Sequence, residues 1–353
     1  MMNMMIRFHA ALFLLMAGSG MAGAHDFETV KDGNKFYFNV TDKQKHTAEL
    51  TYNGSISEKK PCELQGKVEI PATVIHDKVS YTVTSIGDKA FRGATQLTAV
   101  ILPMGIKSIG NFAFEGCVSL QSIIFPANKV ELGQGVFFKC ESIKNITLGS
   151  EWTHIDLAMF QWSHQLTQLF IPAKIRQIKN MKKLTSLKSV DTDVNNNHFT
   201  TDRGLLYSKD GKTLYCCPRA YSGKLTVKEG TETIIRGALL DCTEITGVDL
   251  PATLKKMSFR ETSHMKQLQL ICLRMPKPIV TAYSENGKAI MLFQVANSQV
   301  VLNVAKESKN RFKDKLVDDG GNYSETHEEN AIVYTLKASQ LLSKKNLVGV
   351  KAL

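Results

Sequence analysis

The sequence predicts a solenoid of short parallel β-strands, a mixed and β-rich fold that is closed by a cap at each end. Two observations support this fold class. An apolar pattern returns every 23 residues from about residue 82, and each copy contains an alternating segment such as Leu97–Pro103, which is typical of a half-buried strand. Because one such unit cannot bury its apolar side alone, stacked units must share a continuous core.

Four successive repeats keep this period without interruption. Corresponding slots hold Ile86, Ile109, Leu132 and Ile155 at a tight corner, Phe91, Phe114, Phe137 and Phe160 just after it, and Leu97, Leu120, Ile143 and Leu166 at the start of the strand. The spacing shortens to 21 between Leu166 and Leu187, and regular repeats resume at Ile234, which gives about seven in all. We expect the phenylalanines to form one buried column, since they share one slot.

The segment 109–126 has the pattern Ile-Gly-x-x-Ala-Phe-x-Gly-Cys-x-x-Leu-x-x-Ile-x-Phe-Pro. It resembles the BspA-like leucine-rich repeat family of exported bacterial proteins, and the resemblance covers roughly residues 82–273. The resemblance implies a right-handed leucine-rich solenoid without catalytic residues. It also implies a tendency to bind, since some members are adhesins for host matrix proteins or other bacteria.

The first 24 residues have the features of a secretory signal peptide. Arg7 is their only charged side chain, the apolar run 8–16 follows it, and the small residues 22–24 precede the expected cleavage site. The apolar run is too short to span a bilayer, and no later segment is long enough. We therefore expect export to the medium or the cell surface, with the periplasm as the alternative.

The remaining chain divides into three parts. Residues 25–81 contain alternating apolar segments and predict a β-rich N-terminal cap, which would cover the open end of the solenoid. The solenoid spans 82–275 and is interrupted at about 194–233 by a β-hairpin around Lys209–Lys212. Residues 276–353 predict an α+β C-terminal cap with strands near 300–304 and 331–336 and a charged helix over 306–316.

The charge distribution excludes some partner classes. The formal charge is +11, and loss of Arg7 with the leader lowers it to +10, which favours acidic partners. The lysines are scattered and form no arginine-rich or aromatic-interleaved stripe, so nucleic-acid binding is not expected.

Seven cysteines are too few for a disulfide scaffold in a chain of this length. One slot holds small side chains, namely Ala94, Cys117, Cys140, Ser163 and Cys242. Side chains in a ladder point in parallel rather than toward one another, so we expect free thiols in this slot. The adjacent Cys216 and Cys217 fit a strand end with one side chain buried. Separate disulfides or a metal site are the alternatives, although no histidine lies at zinc-ligand spacing.

No arrangement typical of an active site is present. His198 precedes Cys216 by 18 residues, but no hydrolase motif surrounds either residue. The acidic segment 318–322 has oxygen ligands suited to calcium and lacks the later bidentate glutamate, so a hydrated turn is expected. We therefore predict a protein that is not an enzyme, with no catalytic, cofactor-binding or metal-binding residues.

The predicted binding residues face out of the strands. The outward row consists of Ile101, Ile124, Thr147 and Phe170, and the adjacent turn adds the only two tryptophans, Trp152 and Trp162. A continuous apolar stripe of this kind can mark a partner surface. The structural alternative is that β-branched residues simply suit exposed strand positions.

These features predict an exported, non-enzymatic binding protein, adhesin-like, that presents its solenoid to a protein or glycan such as a host matrix or bacterial surface component. The alternative is an envelope or polysaccharide-utilisation accessory protein in which the solenoid serves as a spacer.

Overall fold

The computed structural model describes residues 25–52, 62–262 and 264–275, and beyond them the short strands listed below. The predicted signal peptide, the helix over 306–316 and the acidic segment 318–322 lie outside the described residues.

Short strands make up nearly all of the regular structure. In chain order they are β1 (Phe27–Lys31), β2 (Asn34–Asp42), β3 (Thr47–Thr51), β4 (Gly66–Glu69), β5 (Thr73–His76), β6 (Val79–Ile86), β7 (Leu97–Ile101), β8 (Ser108–Ile109), β9 (Ser122–Ile124), β10 (Glu131–Leu132), β11 (Asn145–Thr147), β12 (His154–Asp156), β13 (Gln168–Ile171), β14 (Gln177–Lys179), β15 (Ser189–Thr192), β16 (Phe199–Asp202), β17 (Leu205–Ser208), β18 (Thr213–Cys216), β19 (Gly223–Thr226), β20 (Thr233–Ile234), β21 (Ile245–Leu250), β22 (Leu270–Leu273), β23 (Ala282–Tyr283), β24 (Ala289–Ile290), β25 (Gln299–Ala305), β26 (Tyr323–His327), β27 (Ala331–Lys337) and β28 (Lys351–Ala352). The described residues also contain 3₁₀-helices at Leu157–Phe160, Met181–Lys183 and Phe259–Thr262.

Two ladders of parallel strands run along the molecule. The strand ladder contains β4, β7, β9 and β11, then β13 and β15, and later β19, β21, β22 and β25. The corner ladder contains β3, β6, β8 and β10, then β12 and β14, and later β18 and β20. Val100 pairs with Ile123, and Ile123 with Ile146, which confirms the 23-residue period. The pairing of Leu169 with Val190 confirms the shorter repeat of 21 residues.

The core is a column of phenylalanine rings, as predicted. The ring centroids of Phe91 and Phe114 are 4.6 Å apart, those of Phe114 and Phe137 are 5.3 Å apart, and those of Phe137 and Phe160 are 5.1 Å apart. The four side chains are fully buried, and the planes of neighbouring rings are within 16° of parallel. Each turn therefore covers the apolar side of the next.

The glycine after the corner residue is required by the close approach of successive turns. A Cβ atom on Gly110 would lie 2.5 Å from the backbone nitrogen of Asp88, and one on Gly133 would lie 2.6 Å from that of Asn111. Such distances are well inside van der Waals contact, so only glycine fits and the Ile-Gly dipeptide recurs.

The N-terminal segment both covers and extends the solenoid. β1 pairs antiparallel with β2, and β2 pairs antiparallel with β3. β3 and β4 also pair in parallel with β6 and β7, so ladder pairing already begins at Thr47, inside the segment 25–81. At the other end, β25 extends the strand ladder and pairs antiparallel with β27, which confirms the strands predicted near 300–304 and 331–336.

The hairpin predicted around Lys209–Lys212 is present, because β17 and β18 pair antiparallel, and β16 pairs antiparallel with β17. β18 then returns to the corner ladder by pairing in parallel with β20. Two clusters of buried apolar residues meet at this hairpin. Leu206 and Cys216 belong to the first cluster, whereas Leu205, Tyr207 and Cys217 belong to the second.

Two buried polar side chains hold backbone groups together around the hairpin. Asn196 is fully buried; its Nδ2 donates to the carbonyls of Pro172 and Ile175, and its Oδ1 accepts from the backbone N–H groups of His198 and Phe199. The carboxylate of Glu261 accepts from the backbone N–H groups of Gly237 at 2.7 Å and Leu239 at 2.8 Å. In both cases the side chain replaces water as the partner of buried backbone groups.

Candidate partner-binding surface

The outward row lies on the strand ladder. Glu69 pairs with Ile101, Ile101 with Ile124, and Ile124 with Thr147, so these side chains occupy one slot of successive strands. The residues on either side of Ile124, Ile123 and Phe125, are buried, because alternate side chains of a strand point to opposite sides. Ile124 is 41% exposed and Phe170 is 52% exposed, whereas Ile101 is half-buried.

The row consists of two segments rather than the continuous stripe that the sequence predicts. In the described chain β11 and β13 contact one another but belong to separate sheets, so Thr147 and Phe170 are not register partners. Phe170 instead pairs with Asp191 of β15. The row thus ends in a carboxylate on each side, at Glu69 and at Asp191, and Glu69 forms an ion pair with Lys31 at 3.8 Å.

The surface beside the row is mostly uncharged and polar. The register places Ala99, Ser122, Asn145, Gln168 and Ser189 in the neighbouring column, and backbone hydrogen bonds align the next column, which contains Thr98, Gln121, Lys144, Thr167 and Lys188. These side chains offer hydrogen-bond donors and acceptors next to an apolar row. Lys144 and Lys188 are exposed and give this side of the surface a positive character.

Trp152 is not part of this surface, which corrects the sequence-based prediction. It is 3% exposed, its Nε1 donates to the carbonyl of Asn128 at 2.8 Å, and its ring centroid lies 4.9 Å from that of Phe125. It lies three residues before a corner residue, as do Ile106 and Ile175, which are also buried. The period therefore assigns Trp152 to an interior slot.

Trp162 lies in the return turn after the phenylalanine column and is half-buried. Its ring meets Phe138 edge-on, with centroids 5.3 Å apart, and Phe138 in turn lies 6.3 Å from Phe112. The structure therefore places Trp162 in an aromatic cluster with two residues that the sequence analysis did not select. The signal for that cluster is the presence of additional aromatic residues next to the regular phenylalanine slot.

The seven cysteines are free. The buried thiols of Cys117 and Cys140 donate to the carbonyls of Phe91 and Phe114, at 3.1 Å and 3.0 Å. Cys216 and Cys217 are both buried, whereas a single buried side chain was expected. The reason is that they point to opposite sides of an extended segment, and an apolar cluster lies on each side.

The environment of Cys216 does not favour nucleophilic chemistry. Burial raises the pKa of Cys216 to about 11, which disfavours the thiolate that a nucleophile needs, and His198 is exposed. Across residues 25–52, 62–262 and 264–275, no group of three or more His, Cys, Asp or Glu side chains is placed to hold a metal ion. None of the helices in the described part of the chain has the length and apolar character needed to cross a membrane.

Residues 74–199 match the sequence model of the BspA type leucine-rich repeat region in six copies. This part of the chain is a BspA-type repeat region. The match begins in β5 and ends at the start of β16, so it covers the turns of the solenoid that precede the hairpin. The BspA-type repeat accounts for the period and the parallel ladders, and it indicates no catalytic family.

Several solved structures are similar to this chain. The pneumococcal vaccine antigen PcpA is 18% identical over 83% of this chain and 97% of its own, with a TM-score of 0.43. A leucine-rich cell surface protein from Faecalibacterium prausnitzii is 18% identical over 84% and 99%, with a TM-score of 0.36. A leucine-rich repeat protein from Bacteroides ovatus is 18% identical over 77% and 78%, with a TM-score of 0.44. No curated protein is significantly similar in sequence.

Proposed function

We propose that this protein is exported and binds a protein partner through the strand ladder of its BspA-type repeats. The outward row of Ile101, Ile124, Thr147 and Phe170 would form the centre of the contact. The observation that carries this proposal is the exposure of two large apolar side chains, Ile124 and Phe170, on a strand surface where Ile101 is half-buried and the neighbouring outward column is small or polar.

The geometry favours an extended segment of a protein as the partner. Successive parallel strands are about 4.8 Å apart, so the paired part of the row is a narrow strip in which side chains of an extended chain can alternate with those of the ladder. The neighbouring column, which contains Ser122, Asn145 and Gln168, supplies hydrogen-bonding groups along one side of that strip. A buried apolar centre with a polar rim is the usual anatomy of a protein interface.

The charges at the ends of the row support a defined register for the partner. Glu69 and Asp191 bound the apolar residues, while Lys144 and Lys188 lie in an adjacent column. An extended segment with basic residues flanking an apolar centre complements the row itself, and the two lysines favour an acidic neighbour beside it. Charge arranged in this way contributes more to specificity and association rate than to affinity.

A double substitution tests the proposal. Mature protein carrying Ile124→Asp and Phe170→Asp is compared with the wild type for binding to immobilised extracellular-matrix proteins, mucin and bacterial polysaccharides. We expect the double variant to lose saturable binding to a protein ligand of the panel. Its melting temperature should stay nearly unchanged, because outward side chains contribute little to the core.

The matched control is Ile75→Asp with Met104→Asp. These two apolar side chains are 73% and 74% exposed and lie outside the row, so the same change in chemistry falls on a different part of the surface. Binding by the control variant should equal that of the wild type. If the row variant still binds, or if the polysaccharides alone bind, the row is not a protein-binding site. If the wild type binds nothing on the panel in saturable fashion, the spacer function is favoured instead.

A further inference from the structure

A thiol pair lies where the hairpin rejoins the repeats. The backbone N–H of Cys217 donates to the carbonyl of Ala238 at 2.9 Å, just as that of Phe91 donates to Ala113 at 2.7 Å, so Cys217 occupies the phenylalanine slot of its turn. Cys242 occupies the small-residue slot of the next turn. Because the two slots differ, the side chains are not held parallel in the way that two residues of one ladder slot are.

The two sulfur atoms share a backbone neighbour. The Sγ of Cys217 and the Sγ of Cys242 each lie 3.6 Å from the same atom, the carbonyl oxygen of Pro218. The Sγ of Cys242 is also 3.6 Å from the carbonyl oxygen of Cys217. Both side chains are fully buried, so the arrangement is fixed by the packing around it.

A lysine reaches this pair from the 3₁₀-helix Met181–Lys183. The Nζ of Lys182 donates to the carbonyl of Cys217 at 2.8 Å and lies 3.5 Å from the Sγ of Cys242. An ammonium group at this distance stabilises a thiolate, and the thiolate is the form of cysteine that reacts with oxidants. The neighbouring carboxylate of Glu261 is held by backbone N–H groups and does not compete for the ammonium through a direct contact.

The electrostatics of the pair are asymmetric. A hydrogen bond from the Cys217 thiol, assisted by the charge of Lys182, lowers the pKa of Cys242. Burial, together with that same hydrogen bond, raises the pKa of Cys217. Cys242 is therefore the thiol that ionises first, and Cys217 keeps its proton.

The chain contains a second thiol pair that serves as an internal comparison. Cys117 and Cys140 are buried in one slot of successive turns, and their sulfurs donate to carbonyls inside the phenylalanine column. The hydrogen bond with Cys140, and then burial, raise the pKa of Cys117. The sulfurs of this pair contact backbone oxygens, and neither contacts an ammonium group.

We propose that Cys217 and Cys242 are a peroxide-oxidisable pair that closes to a disulfide, with Cys242 as the attacking sulfur and Lys182 as its positioning residue. Cys242 loses its thiol proton, and its sulfur attacks one oxygen of hydrogen peroxide. The O–O bond breaks, the sulfur becomes a sulfenic acid, and the leaving hydroxide takes up a proton to form water. The Cys217 sulfur then attacks the sulfenic sulfur and its thiol proton passes to the departing oxygen, so the S–O bond breaks and a second water leaves as the disulfide forms. Two thiols are oxidised and one peroxide is reduced.

The experiment treats the folded protein with a graded series of hydrogen peroxide concentrations. Remaining thiols are alkylated, and the unreduced digest is analysed by mass spectrometry. We expect a peptide pair linked through Cys217 and Cys242, while Cys117 and Cys140 are recovered as alkylated thiols. The same reaction in urea should remove this selectivity, because the selectivity depends on the folded contacts.

Three variants test the role of the ammonium group. Lys182→Met should slow disulfide formation, because it removes the ammonium group that lies 3.5 Å from the Sγ of Cys242 and favours its thiolate. Lys182→Arg keeps the charge and should restore most of the rate. Lys183→Met is the matched control, since Lys183 is exposed and is the next residue in the same helix.

The proposal is overturned if the two thiol pairs of the wild type oxidise at equal rates, if the folded protein does not react, or if Cys242 stops at a sulfinic acid without a disulfide. It is also overturned if Lys182→Met oxidises as fast as Lys183→Met. The comparison of the two thiol pairs uses the wild type alone and therefore does not depend on whether a variant folds.

Discussion

Replacing Phe114 with alanine is the most direct test of the stacked core. Its ring lies between those of Phe91 and Phe137, at centroid distances of 4.6 Å and 5.3 Å, and it is fully buried. Truncating a buried phenylalanine costs about 3–5 kcal/mol, through lost transfer free energy and the cavity that remains. Since two stacked aromatic pairs are lost here, we expect a cost in the upper part of that range.

The end of the column provides the comparison. Phe91→Ala removes one ring contact of the column, so it should destabilise by about 1 kcal/mol less than Phe114→Ala. The free energy of unfolding is measured by urea titration with tryptophan fluorescence, because Trp152 is buried in the same cluster. A loss of unfolding free energy under about 1 kcal/mol for Phe114→Ala would refute the column, since truncating a buried phenylalanine in a packed core usually costs about 3–5 kcal/mol.

The two buried polar side chains give further predictions. Asn196→Asp removes both Nδ2 donors and sets a carboxylate against two carbonyl oxygens, so it should destabilise by about 3 kcal/mol, whereas the exposed Asn197→Asp should change stability by less than about 0.5 kcal/mol. Equal losses in urea titrations of the two variants would contradict the buried network. Burial raises the pKa of Glu261 above its ordinary value of 4.5, so the folded protein binds this proton more tightly than the unfolded chain does. The wild type should therefore gain stability relative to Glu261→Gln as the pH falls from neutral toward 4.5, and a difference that does not change with pH would count against this reasoning.

The period of the sequence predicts most of the fold because each slot of a solenoid has one environment. The pairing of Val100 with Ile123 and the stacking of the phenylalanines follow from numbering alone. The wrong prediction of Trp152 as a surface residue follows from neglect of this rule. The residue was assigned to the surface by its type, whereas its position three residues before the corner assigns it to the interior.

Other features could not be predicted because they depend on contacts that the period does not encode. Asn196 is flanked by asparagines on both sides, and only its position at the entry to the hairpin distinguishes it. Lys182 and Cys242 are 60 residues apart, and the shortened repeat and the hairpin bring them together. The interruption between β11 and β13 falls at the turn that holds Trp152, although the apolar slots continue across it.

The hairpin of β16, β17 and β18 has a consequence for how order is lost. Its sheet contributes Leu206 and Cys216 to one apolar cluster and Leu205, Tyr207 and Cys217 to the other. The sheet therefore lies between the two clusters and packs against both. In an uninterrupted solenoid each turn depends on the next, and fraying at one end can spread along the whole stack. Here the turns before the hairpin keep a covered end even when the turns after it separate. We therefore expect local unfolding that begins in the C-terminal turns to stop at this sheet before it reaches the phenylalanine column.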